Sequence, residues 1–352
     1  ADGVSVTLKN INFINGKYTG DGGGGAIYKE GTGNLIVSDS TFINTTSGIG
    51  GAIFSSNSGS ITVTNSIFEH NSASSAGGAI CIYNYEVSGS NVTVTNSTFN
   101  HTIAHNTEGG AISIIMEEIT DNNGGIITLS NSRFNNNTAA NTGNGGAIYV
   151  SIYNYDDESY GTLIVSNSTF NNSKAPYGGA IRTQDCPNII LTNSIFNNTL
   201  AYGAGGAIST ISGENCNITV INCIFNHTIA NSSGGGAIRT GYNLIVMNSI
   251  FNHTKADNGG AIEGWNATIC DSKFTNCNAK YAGSDIVSSF HLTLLSNDYD
   301  GKTTYNSTEV ACDSITNLNP DTFESVQFRI NITPVNCVLN LPNRKYNANE
   351  ND

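Results

Sequence analysis

The tetrapeptide GGAI occurs nine times in this 352-residue chain, beginning at Gly24, and each copy follows a phenylalanine by ten to thirteen residues. The phenylalanines are Phe13, Phe42, Phe68, Phe99, Phe134, Phe170, Phe196, Phe225, Phe251 and Phe274, and Tyr299 is placed to continue the series. One unit recurring at intervals of 23 to 36 residues is the pattern of a solenoid, in which each repeat buries its apolar side only against its neighbours.

Aligning the copies on the phenylalanine shows which side chains point inward. Seven residues before it stands an apolar residue in every copy, such as Leu35, Ile61, Val92, Ile127 and Leu163, and five residues before it another, such as Val37, Val63, Val94, Leu129 and Val165. The residue between is Thr or Ile. Apolar positions two apart, separated by a β-branched residue, describe a strand with one buried face, whereas a helix would space them by three and four.

Three residues before the phenylalanine lies Asn, Asp or, once, Ser296, and two residues after it lies Asn or His. Asn and Asp tolerate left-handed backbone and bond their own neighbours, so both positions read as bends. The spacing from phenylalanine to Ala varies by three residues, while that from Ala to the next phenylalanine runs from 13 to 23. Insertions therefore leave from one corner. Three short strands, two tight bends and one variable corner predict an all-β fold, a right-handed parallel β-helix of about eleven coils. At ~4.8 Å per rung it would be about 50 Å long.

The ladders cover residues 1–300 as one body. Residues 301–352 are read as a small C-terminal β segment, with the alternating run Val326, Phe328, Ile330 and Ile332, that either caps its own last coil or pairs with the first coil of another copy in a head-to-tail filament.

Charged residues make up 12 % of the chain and the net charge is −13 with 14 Lys plus Arg, a balance that argues against nucleic-acid or anionic-membrane partners. No apolar stretch is long enough for a membrane helix, so no membrane insertion is expected. The opening, without Met or a signal peptide, reads as that of a processed or excised chain. Eight cysteines in an Asn-rich chain with fifteen N-glycosylation sequons favour a secretory, extracellular or cell-surface setting. Cys186 with Cys216, at nearly the same place on adjacent coils, and Cys312 with Cys337 are the first candidates for disulfides.

Position singles out the sequons whose Asn directly follows the phenylalanine: Asn171, Asn197, Asn226 and Asn252 in four consecutive coils, and Asn100 earlier. Asn44, Asn136, Asn266, Asn306 and Asn331 complete the set expected to carry glycans, with an unmodified hydrogen-bonding Asn row as the alternative. Three long insertions, near residues 81–90, 113–124 and 149–160, leave the same corner and should form one ledge. Its Tyr83, Tyr85, Tyr153 and Tyr155 with Asp156 and Asp157 suit sugar stacking or a protein contact, or simply fold the insertions onto the rod.

His70 with His101, and His227 with His253, share a ladder, but no third or fourth ligand recurs, so they read as turn residues and no metal or cofactor is expected. Arg239 and Glu263 align as a surface ion pair. Glycoside hydrolysis needs opposed carboxylates and a lyase needs a positioned base. The acids here lie mostly in loops and the bases are scattered, so no catalytic residues are assigned and the chain is read as non-enzymatic.

The GGAI and NSTFNN-type blocks over residues 1–300 resemble the repeats of polymorphic outer-membrane protein passengers and of adhesin-like β-helix proteins on cell surfaces of some archaea and protists. The companion FxxN motif is met by Phe68 to Asn71 and by Phe134 to Asn137, whereas Phe42 and Phe274 have Asn two residues on. The resemblance implies an extracellular adhesive or structural role and transfers no catalytic residue. Two functions stay open: an N-glycosylated surface or filament protein that self-associates end to end, and an adhesin that binds through the Tyr and acid ledge. A polysaccharide lyase or hydrolase would require an acidic cleft.

Overall fold

A computed structural model describes residues 3–20, 22–87, 90–118, 125–153, 161–186, 188–211, 216–300 and 310–318, the stretch 311–318 by backbone alone. These residues form a parallel β-helix. Eleven short strands, from Asn12–Ile14 to Asp298–Tyr299, make a sheet that carries the phenylalanines; nine, from Thr46–Ser47 to Asn278–Ala282, make a narrow sheet; and a broad third sheet joins the apolar strands to those opening on the GGAI isoleucine.

One coil illustrates the path: Ile126–Ser130, Arg133–Asn135, Thr138–Ala139 and Ile148–Tyr153. Register follows the sequence ladders, with Ile127 opposite Leu163, Leu129 opposite Val165 and Phe134 opposite Phe170. These side chains are fully buried. From Phe13 to Phe274 successive rings are nearly parallel with centroids 4.6–4.9 Å apart. That spacing is the rung repeat set by the backbone hydrogen bonds, and it falls within the range of centroid separations at which aromatic pairs attract one another. Tyr299 continues the row at 5.4 Å from Phe274.

Both predicted bends are left-handed. Asn131 has φ 50° and Asn136 φ 55°, and His70, His101, His227 and His253 occupy the second bend at φ 52–54°. Inside the first bend a serine row replaces apolar packing. Ser66, Ser97, Ser132 and Ser168 each donate from Oγ to the carbonyl two residues back at 2.8–2.9 Å. The same oxygens of Ser97, Ser132 and Ser168 accept the backbone N–H of the serine one coil earlier at 3.2 Å. The row satisfies backbone donors that a sharp bend turns away from the strand ladder.

The FxxN asparagines do the corresponding work inside the second bend. Asn71 Oδ1 accepts from both Thr45 N (3.2 Å) and Thr45 Oγ1 (2.8 Å), while its Nδ2 donates to the Phe42 carbonyl (3.2 Å). Asn137 repeats the arrangement on Thr102 and Phe99. The two glycines of GGAI serve different needs. Gly109 sits at φ 67°, and a Cβ on Gly110 would drive into the Gly146 carbonyl of the next coil.

The variable corner shapes the rest. At Ile80–Tyr85, Ile112–Glu117 and Ile148–Tyr153 the GGAI strand runs six residues before the insertion. At Ile262–Cys270, and at Ile286–Leu295 after a degenerate GSDI copy, the corner has vanished and the strand flows into the apolar strand with a register shift near Gly264 and Ser288. The stacking also passes residue 300. Val310–Leu318 pairs in parallel with Ile286–Leu295, so part of the segment assigned to a cap is a further rung. Val326, Phe328, Ile330 and Ile332 lie outside the described residues.

Candidate functional site

The insertion ledge begins as an orderly outer row. Tyr85, Glu117 and Tyr153 are direct cross-strand neighbours, and both tyrosines are about two-fifths exposed. Tyr83 is turned back instead. It packs against the small cluster of Phe54, Ala76 and Cys81, and its hydroxyl donates to Glu117 Oε2 at 2.8 Å. That hydrogen bond to a carboxylate, helped by burial, pushes the Tyr83 phenol up to about 12. Tyr149 is buried and donates to Gln184 Oε1. Tyr155, Asp156 and Asp157 lie outside the described residues.

The sequon asparagines form amide ladders. Asn226 Nδ2 donates to Asn197 Oδ1, and Asn252 Nδ2 to Asn226 Oδ1, each at 2.9 Å. Asn171 donates to Asn135 at 3.0 Å, Asn100 to Glu69 at 3.4 Å, Asn44 to Asn15 at 3.4 Å and Asn266 to Asn243 at 3.0 Å, while Asn136 accepts from Asn172 at 3.0 Å. Asn44 is exposed, and Asn100, Asn136, Asn171, Asn197, Asn226, Asn252 and Asn266 are half-buried. On the same outer face a column of exposed isoleucines, Ile195, Ile224 and Ile250, runs beside the Asn column. Asn306 and Asn331 lie outside the described residues.

The expected Cys186–Cys216 bridge is absent. Asn188 pairs with Asn217, which places the two cysteines one residue out of step, and the Cys216 thiol points at the Cys186 carbonyl at 3.0 Å. All six cysteines whose side chains are described are free and buried. Burial pushes the thiols of Cys81, Cys216, Cys223, Cys270 and Cys277 up to about 12 and Cys186 upward as well, so they act as small apolar residues. Of the other candidate pair, Cys312 falls in the strand Val310–Leu318, known by backbone alone, and Cys337 is outside the described residues.

The histidine pairs stack ring on ring, His70 on His101 at 5.0 Å and His227 on His253 at 4.7 Å. His227 and His253 each place Nδ1 2.9 Å from the Oδ1 of the preceding Asn. Among the described residues no group of three His, Cys, Asp or Glu is placed to hold a metal ion, and no helix is long and apolar enough to cross a membrane.

A groove that ladder reasoning missed opens where the variable corner closes. It has a volume of about 270 Å³ and is lined by Thr210, Arg239, Thr240, Gly241, Glu263 and Trp265, among others. Trp265, the single tryptophan, is half exposed and stacks on exposed Phe290 of the next coil at 5.8 Å and 4°. Arg239 Nε and Glu263 Oε2 meet at 3.7 Å on the floor. Burial pushes the Glu263 carboxyl upward against the pull of Arg239. The only sequence signal was the short spacing after Ala237 and Ala261, which marks a corner without room for an insertion.

Residues 65–83 and 131–151 match the Chlamydia polymorphic membrane protein repeat. Each stretch opens on the left-handed Asn of the first bend, Asn65 or Asn131, and runs through a GGAI tetrapeptide. Each also contains a buried bridging asparagine, Asn71 or Asn137. The chain is a parallel β-helix, and two of its coils resemble the polymorphic membrane protein repeat. The matched stretches give this repeat a physical meaning: FxxN is the phenylalanine of the stack plus the amide that ties the second bend to the coil before. No curated protein and no solved structure matches the chain.

Proposed function

We infer that this chain is a non-catalytic rod displayed on the outside of a cell. The observation that carries the reading is the parallel stack, whose bend residues direct their polar groups to the neighbouring coil and two of whose coils match the polymorphic membrane protein repeat. Such a body is stiff, extends by addition of rungs and presents long flat faces. The test is antibody or protease access on intact producing cells. Labelling of unpermeabilised cells is expected, and labelling only after permeabilisation would remove the reading.

Two elaborations belong to it. N-glycans would sit on the outward Asn columns, with Asn44 among the exposed sites, and intact-mass measurement before and after deglycosylation checks them. Rungs stand about 4.8 Å apart, so simultaneous occupancy of Asn197, Asn226 and Asn252 is not expected. End-to-end self-association through the C-terminal segment predicts filaments that a truncation at residue 318 abolishes.

A second reading is favoured by the exposed row of Tyr85, Glu117 and Tyr153, which suits a protein or glycan partner. Adhesion to host or neighbouring cells that survives the double change Tyr85→Ala and Tyr153→Ala would discard it.

A further inference from the structure

We propose that the groove over Arg239, Glu263 and Trp265 binds one neutral pyranose ring. It is a different place from the tyrosine ledge and is built differently.

Because the coils stack along one axis and Phe290 lies on the coil after Trp265, the other face of the indole is turned toward the coil before. There the chain has Gly241, and a Cβ built on it meets nothing within 4 Å. The indole therefore faces the open space over Gly241, within a groove of about 270 Å³. That volume is just below the range of about 300–1,000 Å³ typical of drug-sized ligands, and so suits a single sugar ring. Trp265 is held for the task. Phe290 backs its ring, and Ser288 Oγ donates to its carbonyl at 3.0 Å. A half-exposed Trp and an exposed Phe fixed in parallel form an apolar platform that a folded surface ordinarily avoids.

The floor supplies the other half of the recognition. Arginine only donates hydrogen bonds and an ionised glutamate only accepts them, whereas a hydroxyl does both. Arg239 and Glu263, side by side on adjacent rungs, therefore match a pair of neighbouring ring hydroxyls. Together the two side chains carry no net charge, so they draw neither an acidic nor a basic sugar and suit a neutral one. A ring with one C–H face for the indole and equatorial hydroxyls at its edge meets both demands. At the efficiency usual for small ligands the affinity would be millimolar.

Trp265 is the chain's single tryptophan, so its emission reports the site directly. Methyl β-D-glucopyranoside, methyl β-D-galactopyranoside and N-acetylglucosamine are titrated into the intact protein, with sorbitol as an acyclic polyol lacking a ring face. At least one pyranose should give a saturable emission change with a millimolar midpoint, and sorbitol none. Gly241→Phe fills the gap into open space, at a backbone outside the left-handed region, and should abolish the response while the thermal transition stays in place. Should that variant fail to fold, Arg239→Gln provides the same test, with an expected weakening of about tenfold or more. The proposal is overturned by a flat or linear response to all three sugars up to about 100 mM, well above the millimolar range, by equal saturation with sorbitol, or by an unchanged midpoint in a folded variant. Such a failure leaves the surface-rod reading standing, because that reading is tested on cells.

Discussion

The coils around Asn71 and Asn137 and those around Ser173, Thr199 and Thr228 share strands, bends and ring stack, yet they close the second bend in different ways. In the first pair a buried amide reaches the preceding coil with three hydrogen bonds. In the second group a short hydroxyl stands at the same place, buried, and Ser173 Oγ, Thr199 Oγ1 and Thr228 Oγ1 have no hydrogen-bond partner among the described residues. A repeat can thus keep its path while its internal ties weaken, because the backbone ladder and the rings maintain the geometry. The difference also explains why the repeat match falls on residues 65–83 and 131–151 and not on the later coils.

The contrast can be broken most forcefully at its strong side. Asn137→Ala strands the Thr102 hydroxyl and amide and the Phe99 carbonyl, and a loss of about 3 kcal/mol is expected from unsatisfied buried groups. Denaturant unfolding, with amide exchange of the Thr102 and Asn137 coils, measures it. Thr199→Ala should cost much less, and equal costs would show that the buried amide is not what separates the two groups. From the weak side, Thr199→Asn places an amide where it can reach Ser173 as Asn71 reaches Thr45, and a gain of about 1 kcal/mol is expected from the restored bonds. A lower midpoint would mean that the later bends cannot admit the larger side chain.

Cys223 interrupts the serine row of the first bend, although its own N–H still donates to Ser249 Oγ at 3.2 Å. Cys223→Ser should be mildly stabilising, by about 0.5 kcal/mol, as read from the thermal midpoint. The same substitution should weaken the pH response. The folded thiols at about 12 hold their protons above the ordinary thiol value near 9. The folded state therefore binds more protons than the unfolded one from about pH 9 to 12, and stability is full below this window and falls through it as pH rises. Cys223→Ser should flatten the fall slightly, and maleimide labelling at neutral pH should reach the six buried cysteines only after unfolding. Rapid labelling of the native protein would contradict their burial.

Most of the fold could be read from the ladders, because a one-residue slip would expose Phe134 or Val165 and the interior tolerates no such change. The left-handed bends were legible for a related reason: Asn131 and Asn136 are residue types that accept that backbone. The cysteines misled, since composition suggests bridges while the register of Asn188 on Asn217 sets Cys186 and Cys216 out of step. The groove at Trp265 was barely legible: the short spacing after Ala237 and Ala261 marks a corner without an insertion, but the periodicity does not tell that the space over Gly241 stays open beside an exposed indole. The ledge was half legible. Strand alternation puts Tyr83 and Tyr85 on the same face, as the sequence grouped them, but only the neighbouring cluster of Phe54, Ala76 and Cys81 tells that Tyr83 is covered while Tyr85 stays exposed.

The GGAI glycines, whose second member lies against the carbonyl of the corresponding glycine one coil on, give every coil the same upper and lower surface. At this bend the backbone contact between neighbouring coils is then the same along the GGAI rows. Duplication or deletion of a whole number of coils by recombination within the gene would therefore preserve the backbone contact at this bend, so the reach of the molecule could change in steps of one rung while only the side-chain ties at the new junction have to adapt.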